Sequence, residues 1–308
     1  FLWSSSLYGE RAGLFSLLFY VFSTGCLGLA RFAVLDFGAA AFFLFTLYCA
    51  DWYLERKNRL GLVVVGFVCG LSICTKYTLL PLIAFVPLLF CLVPSAEYSE
   101  DSWWRNWINS FSKAFVYNKL MIICVFLVIS LLTANACFLF EGFLKAKRLN
   151  PNLQMELAQE QLSVLNVLAR FLPSSYHSGL AGKLKQAKRG REAFLWGKRW
   201  QGGTIVYYLA CFFLKTTLVF QLLFMLLLVL LALKELKWGL REARIWLPTV
   251  LLFAYLSVFS RVNIGLRHAI FVLPAIHILF GSLFAWFESK QTRKSHWVCL
   301  ILVLTVYC

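Results

Sequence analysis

The chain has 308 residues, a formal net charge of +16 and 61% hydrophobic residues, with a mean hydropathy of +0.75. Soluble domains are roughly 45–50% apolar, so an ordinary water-soluble domain is excluded. The basic residues stand between long apolar runs, which points to anionic lipid head groups and topology determinants and not to nucleic acid.

In chain order, eight spans or near-spans are predicted, at 12–29, 34–54, 60–75, 78–93, 120–140, 206–233, 245–259 and 268–287, with a ninth beginning at Trp297. A full span needs about 20 residues, so the shorter runs must end in polar flanks at the interface or inside the bundle. The run 206–233 is longer than one span requires, and its first part, with Tyr207 and Tyr208, fits a course along the interface. The expected fold is an all-α polytopic transmembrane helix bundle. It falls into N-terminal helices (1–140), an extracytoplasmic loop (141–205) and C-terminal helices (206–308). The final run is too short to span, and no initiator Met begins the chain, so the sequence reads as a piece of a longer protein.

Orientation follows from the connectors, because short basic loops stay cytoplasmic. Arg56, Lys57 and Arg59, then Lys234, Lys237, Arg241 and Arg244, then Lys290, Arg293 and Lys294 all follow even-numbered spans. Alternation puts them on one side with loop 94–119. The opposite side receives the approach to Asp36, the turn around Lys76, the long segment 141–203, and 261–267. That segment is itself basic, but at about 60 residues it lies at the limit beyond which loops translocate regardless of charge. Within it, Leu153, Leu157, Val164, Leu165, Leu168 and Leu172 form an apolar stripe at helical spacing. This is an amphipathic surface helix or a short helix on the loop's own core. From Pro173 to 203 the composition turns to Ser, Gly, Lys and Arg, the mark of ordered loop or mobile chain.

The polar residues inside or beside spans are the candidates for chemistry. Asp36 opens the second span. An acid there is a functional candidate, or a carboxylate suiting a helix N-terminus. Lys76 stands between two apolar runs, able to snorkel or to bind an anion. Arg261, Arg267 and His268 lie opposite the basic loops. Arginine's planar fork suits phosphate oxygens, and His268 offers a hydrogen bond or a proton. His177, His277 and His296 have no metal-ligand spacing. The ten cysteines contain no CxxC pair and read as small buried hydrophobes. No nucleotide loop or dinucleotide fingerprint is present.

Four stretches carry a family resemblance. Residues 30–40 with 42–48 place an Asp at the start of an apolar helix after an outer loop. Residues 66–81 read GFVCGLSICTKYTLLP, residues 194–217 read FLWGKRWQGGTIVYYLACFFLKTT, and residues 265–274 read GLRHAIFVLP. In this order they resemble motifs of the dolichyl-phosphate-mannose protein mannosyltransferases and their bacterial relatives, the lipid A aminoarabinose transferases. Lys198 replaces an acidic residue of the family pattern, Thr204-Ile205 replaces its paired Trp, and Thr217 replaces its Pro.

The resemblance implies the multi-spanning GT-C fold and transfer of a sugar from a polyprenyl-phosphate donor to a protein or lipid-glycan acceptor on the extracytoplasmic face. It implies Asp36 as catalytic carboxylate. It implies Lys76, Arg261, Arg267, His268, Tyr207, Tyr208 and Lys215 as lipid-phosphate or substrate contacts. The family's principal carboxylate would lie before Phe1. No cofactor is expected, and no ligand set for a divalent metal is identifiable. The membrane is read as a bacterial plasma membrane, with the endoplasmic reticulum as alternative. The rival functions are a multi-span secondary transporter and an inactive scaffold of the same fold.

Overall fold

The computed structural model describes residues 1–31, 35–92, 113–143, 170–201, 204–259, 262–263 and 265–290. Within them the chain is mostly helical. The helices are α1 (Leu2–Tyr8), α2 (Glu10–Val21), α3 (Thr24–Ala30), α4 (Leu35–Arg56), α5 (Arg59–Thr75), α6 (Leu82–Leu92), α7 (Lys113–Cys137) and α8 (Ser174–Arg189). A hairpin of β1 (Ala193–Leu195) and β2 (Lys198–Trp200) follows, then α9 (Val206–Lys215), α10 (Leu218–Ala232), α11 (Leu240–Phe259) and α12 (Val272–Lys290).

Three helices are long and apolar enough to cross a membrane: α4, residues 118–137 of α7, and α12. The number is five if each of two bent pairs counts as one span. The eight expected spans are therefore not eight straight helices. Run 12–29 breaks between α2 and α3 with a 57° bend, and run 206–233 breaks between α9 and α10 with a 117° bend. Runs 60–75 and 78–93 correspond to apolar helices shorter than a full span. The start at Trp297, the stripe 153–168 and most of loop 94–119 lie outside the described residues.

The chain forms two compact units, and neither follows the three sequence-ordered regions. One unit comprises 1–40, 204–258 and 263–308; the other comprises 41–203 and 259–262.

In the first unit, α1 and α2 pack on α12. Ser4 and Ser16 hydroxyls meet at 2.8 Å, and Ser4 also donates to the Ile278 carbonyl at 3.2 Å. Gly281 is required at this crossing, because a methyl there would collide with Ser4 and Tyr8. Phe15, Phe19, Phe280 and Phe284 fill the space between, with Phe15 and Phe284 rings 5.2 Å apart. Charges gather at the Lys290 end of α12. Arg11 pairs with Glu288 at 2.6 Å, and Lys290 with Glu235 at 3.2 Å. Glu242 accepts from the Gly239 amide at 2.8 Å, capping α11.

The α9–α10 break has a local cause. Thr216 is extended, and the Thr217 hydroxyl accepts from the Phe220 amide at 3.3 Å to start α10. A break in an apolar setting frees backbone carbonyls that need donors. The Gln221 amide supplies them, donating to the carbonyls of Phe213 and Thr216.

In the second unit, α5 and α7 run parallel at close range. A methyl on Gly66 would come within 2.9 Å of the Ile129 side chain, and one on Gly70 within 2.6 Å of the Ser130 carbonyl. Gly66, Gly70 and Cys74 make a stripe of small residues at four-residue spacing, facing Ser130 and Ala134 on α7. Such stripes let helix backbones approach in a lipid setting, where packing replaces the hydrophobic drive. Ser72 and Thr46 hydroxyls join α5 to α4 at 2.7 Å.

The segment expected as loop from Pro173 onward is instead helical in α8. Its buried Tyr176 donates to the Ile73 carbonyl at 3.0 Å, and the Asn135 amide holds the Phe171 carbonyl at 2.7 Å. Burial, then the neighbouring Cys74 and Tyr77, push the Tyr176 phenol well above its ordinary range, so it stays a donor. Propensity gives little sign of this helix because its stability comes from those tertiary anchors. The hairpin turns through Trp196 and Gly197, both at positive φ, as a two-residue type I′ connection needs.

Candidate functional site

The candidate site lies in the first unit, on the turn that precedes α12. Gly265 has φ 96° and ψ 178°, a region essentially reserved for glycine. The chain then makes a 3₁₀ turn, Leu266–Ala269. Residues three apart eclipse on such a turn, so Leu266 and Ala269 point inward together and are buried. Arg267 and His268 are left half-exposed on its other edge. The motif GLRH thus has a mechanical reading: glycine makes the corner, the apolar pair anchors it, and the two basic residues are presented.

Helix α9 packs on this turn. Asn263, 4% exposed, donates from its amide to the Thr204 carbonyl at 3.1 Å, tying the turn to the approach to α9. The Tyr207 hydroxyl meets the backbone of Gly265. At the far end of α9, the Lys215 ammonium reaches over Gly265, 3.3 Å from where a methyl on that residue would sit.

Arg267 is the chemically informative member. Its Nε is buried without a hydrogen-bond partner, and among the described residues no carboxylate pairs with its guanidinium. A buried donor left unmade costs about 1–3 kcal/mol, more for a charged group. A guanidinium fork of this kind matches the geometry of phosphate or carboxylate oxygens.

Helix α9, which carries Tyr207 and Lys215, and α12, which follows the turn, also line an apolar groove of about 290 Å³. It is lined by Leu209 and Phe212 of α9, Phe224 of α10, Trp246 and Phe253 of α11, and Val272 at the start of α12, among others. Pockets for small ligands run from about 300 to 1,000 Å³, so this groove is at the small end and suits a slender apolar chain.

The sequence-derived candidates fall into distinct positions. Lys215 and Tyr207 meet the Gly265 corner, and Arg267 and His268 stand on the turn that follows it. Tyr208 is fully buried beside Phe253, ring centroids 6.5 Å apart, and serves the packing of α9 on α11; it presents no surface to a substrate. Asp36 stands in the first turn of α4, the placement its helix-start reading anticipates. Lys76 is the extended C-terminal cap of α5 in the second unit. Arg261 lies outside the described residues.

Asn263 and Gln221 are the polar residues that sequence reading passed over. Each is a single amide in an apolar context, and the pattern of neutral polar residues inside spans was the available signal. Among the described residues no group of three or more His, Cys, Asp or Glu side chains is placed to hold a metal ion. The cysteines are not uniformly buried: Cys26, Cys49, Cys69 and Cys211 are, Cys74 is half-buried, and Cys91, Cys124 and Cys137 are exposed. No family model, no curated protein and no solved structure matches the chain.

Proposed function

We propose that this protein is a membrane glycosyltransferase that takes its sugar from a polyprenyl-phosphate donor, with Arg267 and Lys215 receiving the lipid phosphate. The observation that carries the reading is the buried, unmatched Nε of Arg267, two residues beyond the Gly265 corner over which the Lys215 ammonium lies, with an apolar groove lined by α9, which carries Lys215, and by α12, which follows the turn. A phosphate on an apolar chain satisfies both halves of that arrangement. The motif resemblance supplies the sugar.

In the reaction, an acceptor hydroxyl or amine attacks the anomeric carbon. A carboxylate takes its proton, a role the resemblance gives to Asp36. The anomeric carbon–oxygen bond to phosphate breaks, and the departing phosphate gathers charge opposite Arg267 and Lys215, where fixed cations stabilise it. The prenyl chain stays in the groove throughout. Acceptor, membrane lipids and lipid donor are the implied partners. The test is transfer of a radiolabelled sugar from polyprenyl phosphate by the protein in nanodiscs. Release of free polyprenyl phosphate at the rate of acceptor labelling is expected; neither product forming would remove the reading.

A second reading, a secondary transporter, draws on one observation. Both helix breaks, at Ser23–Thr24 and Thr216–Thr217, line one small polar cavity with Gly25, Phe220 and Leu273. Interrupted helices mark transporter sites. Substrate flux into proteoliposomes without sugar transfer would favour it.

A further inference from the structure

The last turns of α5 and α7 bring two cysteines together. The parallel register set by Gly66 against Ile129 and by Gly70 against Ser130 and Thr133 continues one step further, to Cys74 against Ala134 and Cys137. The Cys74 thiol lies 3.8 Å from the Ala134 carbonyl, one helical turn before Cys137 on α7, and the two thiols are near enough to interact electrostatically. The glycines let the two backbones approach, and the four-residue step that sets Gly70 against the Ser130 carbonyl and the Thr133 β-carbon sets Cys74 against the Ala134 carbonyl and Cys137; a disulfide needs β-carbons about 3.5–4.5 Å apart.

We propose that Cys74 and Cys137 form a disulfide that staples the end of α5 to the end of α7. Three further features favour it. Cys137 is exposed, so an oxidant reaches it, while Cys74 is half-buried and positioned to resolve the intermediate. The alternative partner near Cys74, Cys69, is fully buried with its thiol toward Ser130. The orientation expected from the basic loops would place the Lys76 turn and the segment after α7 on the extracytoplasmic side, where disulfides persist.

The chemistry is ordinary thiol–disulfide exchange. The Cys137 thiolate attacks a disulfide oxidant, glutathione disulfide or an oxidoreductase, forming a mixed disulfide and releasing one reduced thiol. Cys74 then displaces the second, forming the S–S bond; two electrons and two protons leave with the reduced oxidant. The bond would stand two residues before Lys76 and three before Tyr77, whose ring centroid lies 4.8 Å from that of Tyr176 on α8. It therefore holds the base of the Lys76 turn and the floor of α8 as one piece. The pairing does not depend on the sugar-transfer reading and stands whether or not transfer is observed.

The experiment uses the full chain in membranes. It is oxidised with glutathione disulfide, blocked with N-ethylmaleimide, digested without reductant and analysed by mass spectrometry. The expected result is a linked peptide pair joining Cys74 to Cys137, about tenfold above any other pairing. Dithiothreitol should abolish the link, and Cys74→Ser or Cys137→Ser should remove it. Recovery of both cysteines as alkylated monomers overturns the proposal. So does stable glutathionylation of Cys137, or its linkage to another cysteine or a second chain. The wild-type digest decides the matter even if a serine variant does not accumulate.

Discussion

The ammonium of Lys215 lies over the α-carbon of Gly265, so close that any side chain on Gly265 would meet it. Two positions fifty apart in sequence thereby hold one cation above the turn that presents another, Arg267. The corner depends on glycine twice, for its backbone angles and for the space above it. Gly265→Ala should cost about 1–3 kcal/mol through backbone strain and displace Lys215. Thermal unfolding in detergent checks the first effect. An unchanged midpoint would show that the corner is not held as described.

Arg267→Ala should lower sugar transfer by about 10²–10³-fold, the usual scale for one charge-stabilising donor, with membrane insertion intact. Arg267→Lys should recover part of the loss, since lysine keeps the charge but not the fork. Transfer assays on protein matched for membrane content read this. Wild-type turnover in the alanine variant would strip Arg267 of the phosphate role.

The Gln221 amide bridges the helix break by serving the carbonyls of Phe213 and Thr216. Gln221→Leu should leave them without that donor, at about 1–3 kcal/mol. The variant should also lose protection at the break in hydrogen exchange while α12 keeps its own. Uniform loss across α10 and α12 would mean the break is not a local device.

Glu235 accepts from the Trp286 indole at 3.3 Å and pairs with Lys290 at 3.2 Å. The indole hydrogen bond first, then Lys290, hold its carboxyl below the ordinary carboxylate range. A group whose folded pKa is depressed stabilises the fold above its unfolded pKa, and that contribution fades as pH falls through the folded value. Wild type should therefore be more stable than Glu235→Gln at neutral pH, the difference closing on acidification below the ordinary range. Parallel melting curves over that interval test it; a gap that widens in acid contradicts the assignment.

The Tyr176 hydroxyl ties α8 to the end of α5 through the Ile73 carbonyl. Tyr176→Phe keeps the ring against Tyr77 and removes only that hydrogen bond, for a loss of about 0.5–1.5 kcal/mol. Proteolysis within 174–189 should accelerate while cleavage elsewhere does not.

Hydropathy and composition by themselves determine that this chain is helical and apolar, and they place α4 and α12 to within a few residues at each end, because burial of a long helix in an apolar medium is written locally, residue by residue. The glycine before Arg267 and His268, and the placement of Asp36 at a helix start, are legible for the same reason: turn and cap chemistry acts within a few residues. Only the tertiary structure decides the rest. Whether 174–189 is helix depends on Ile73, distant in sequence. The meeting of Cys74 with Cys137, and of Lys215 with Gly265, is set by the register between helices. That register comes from steric fit between side chains far apart along the chain, and no local pattern encodes it.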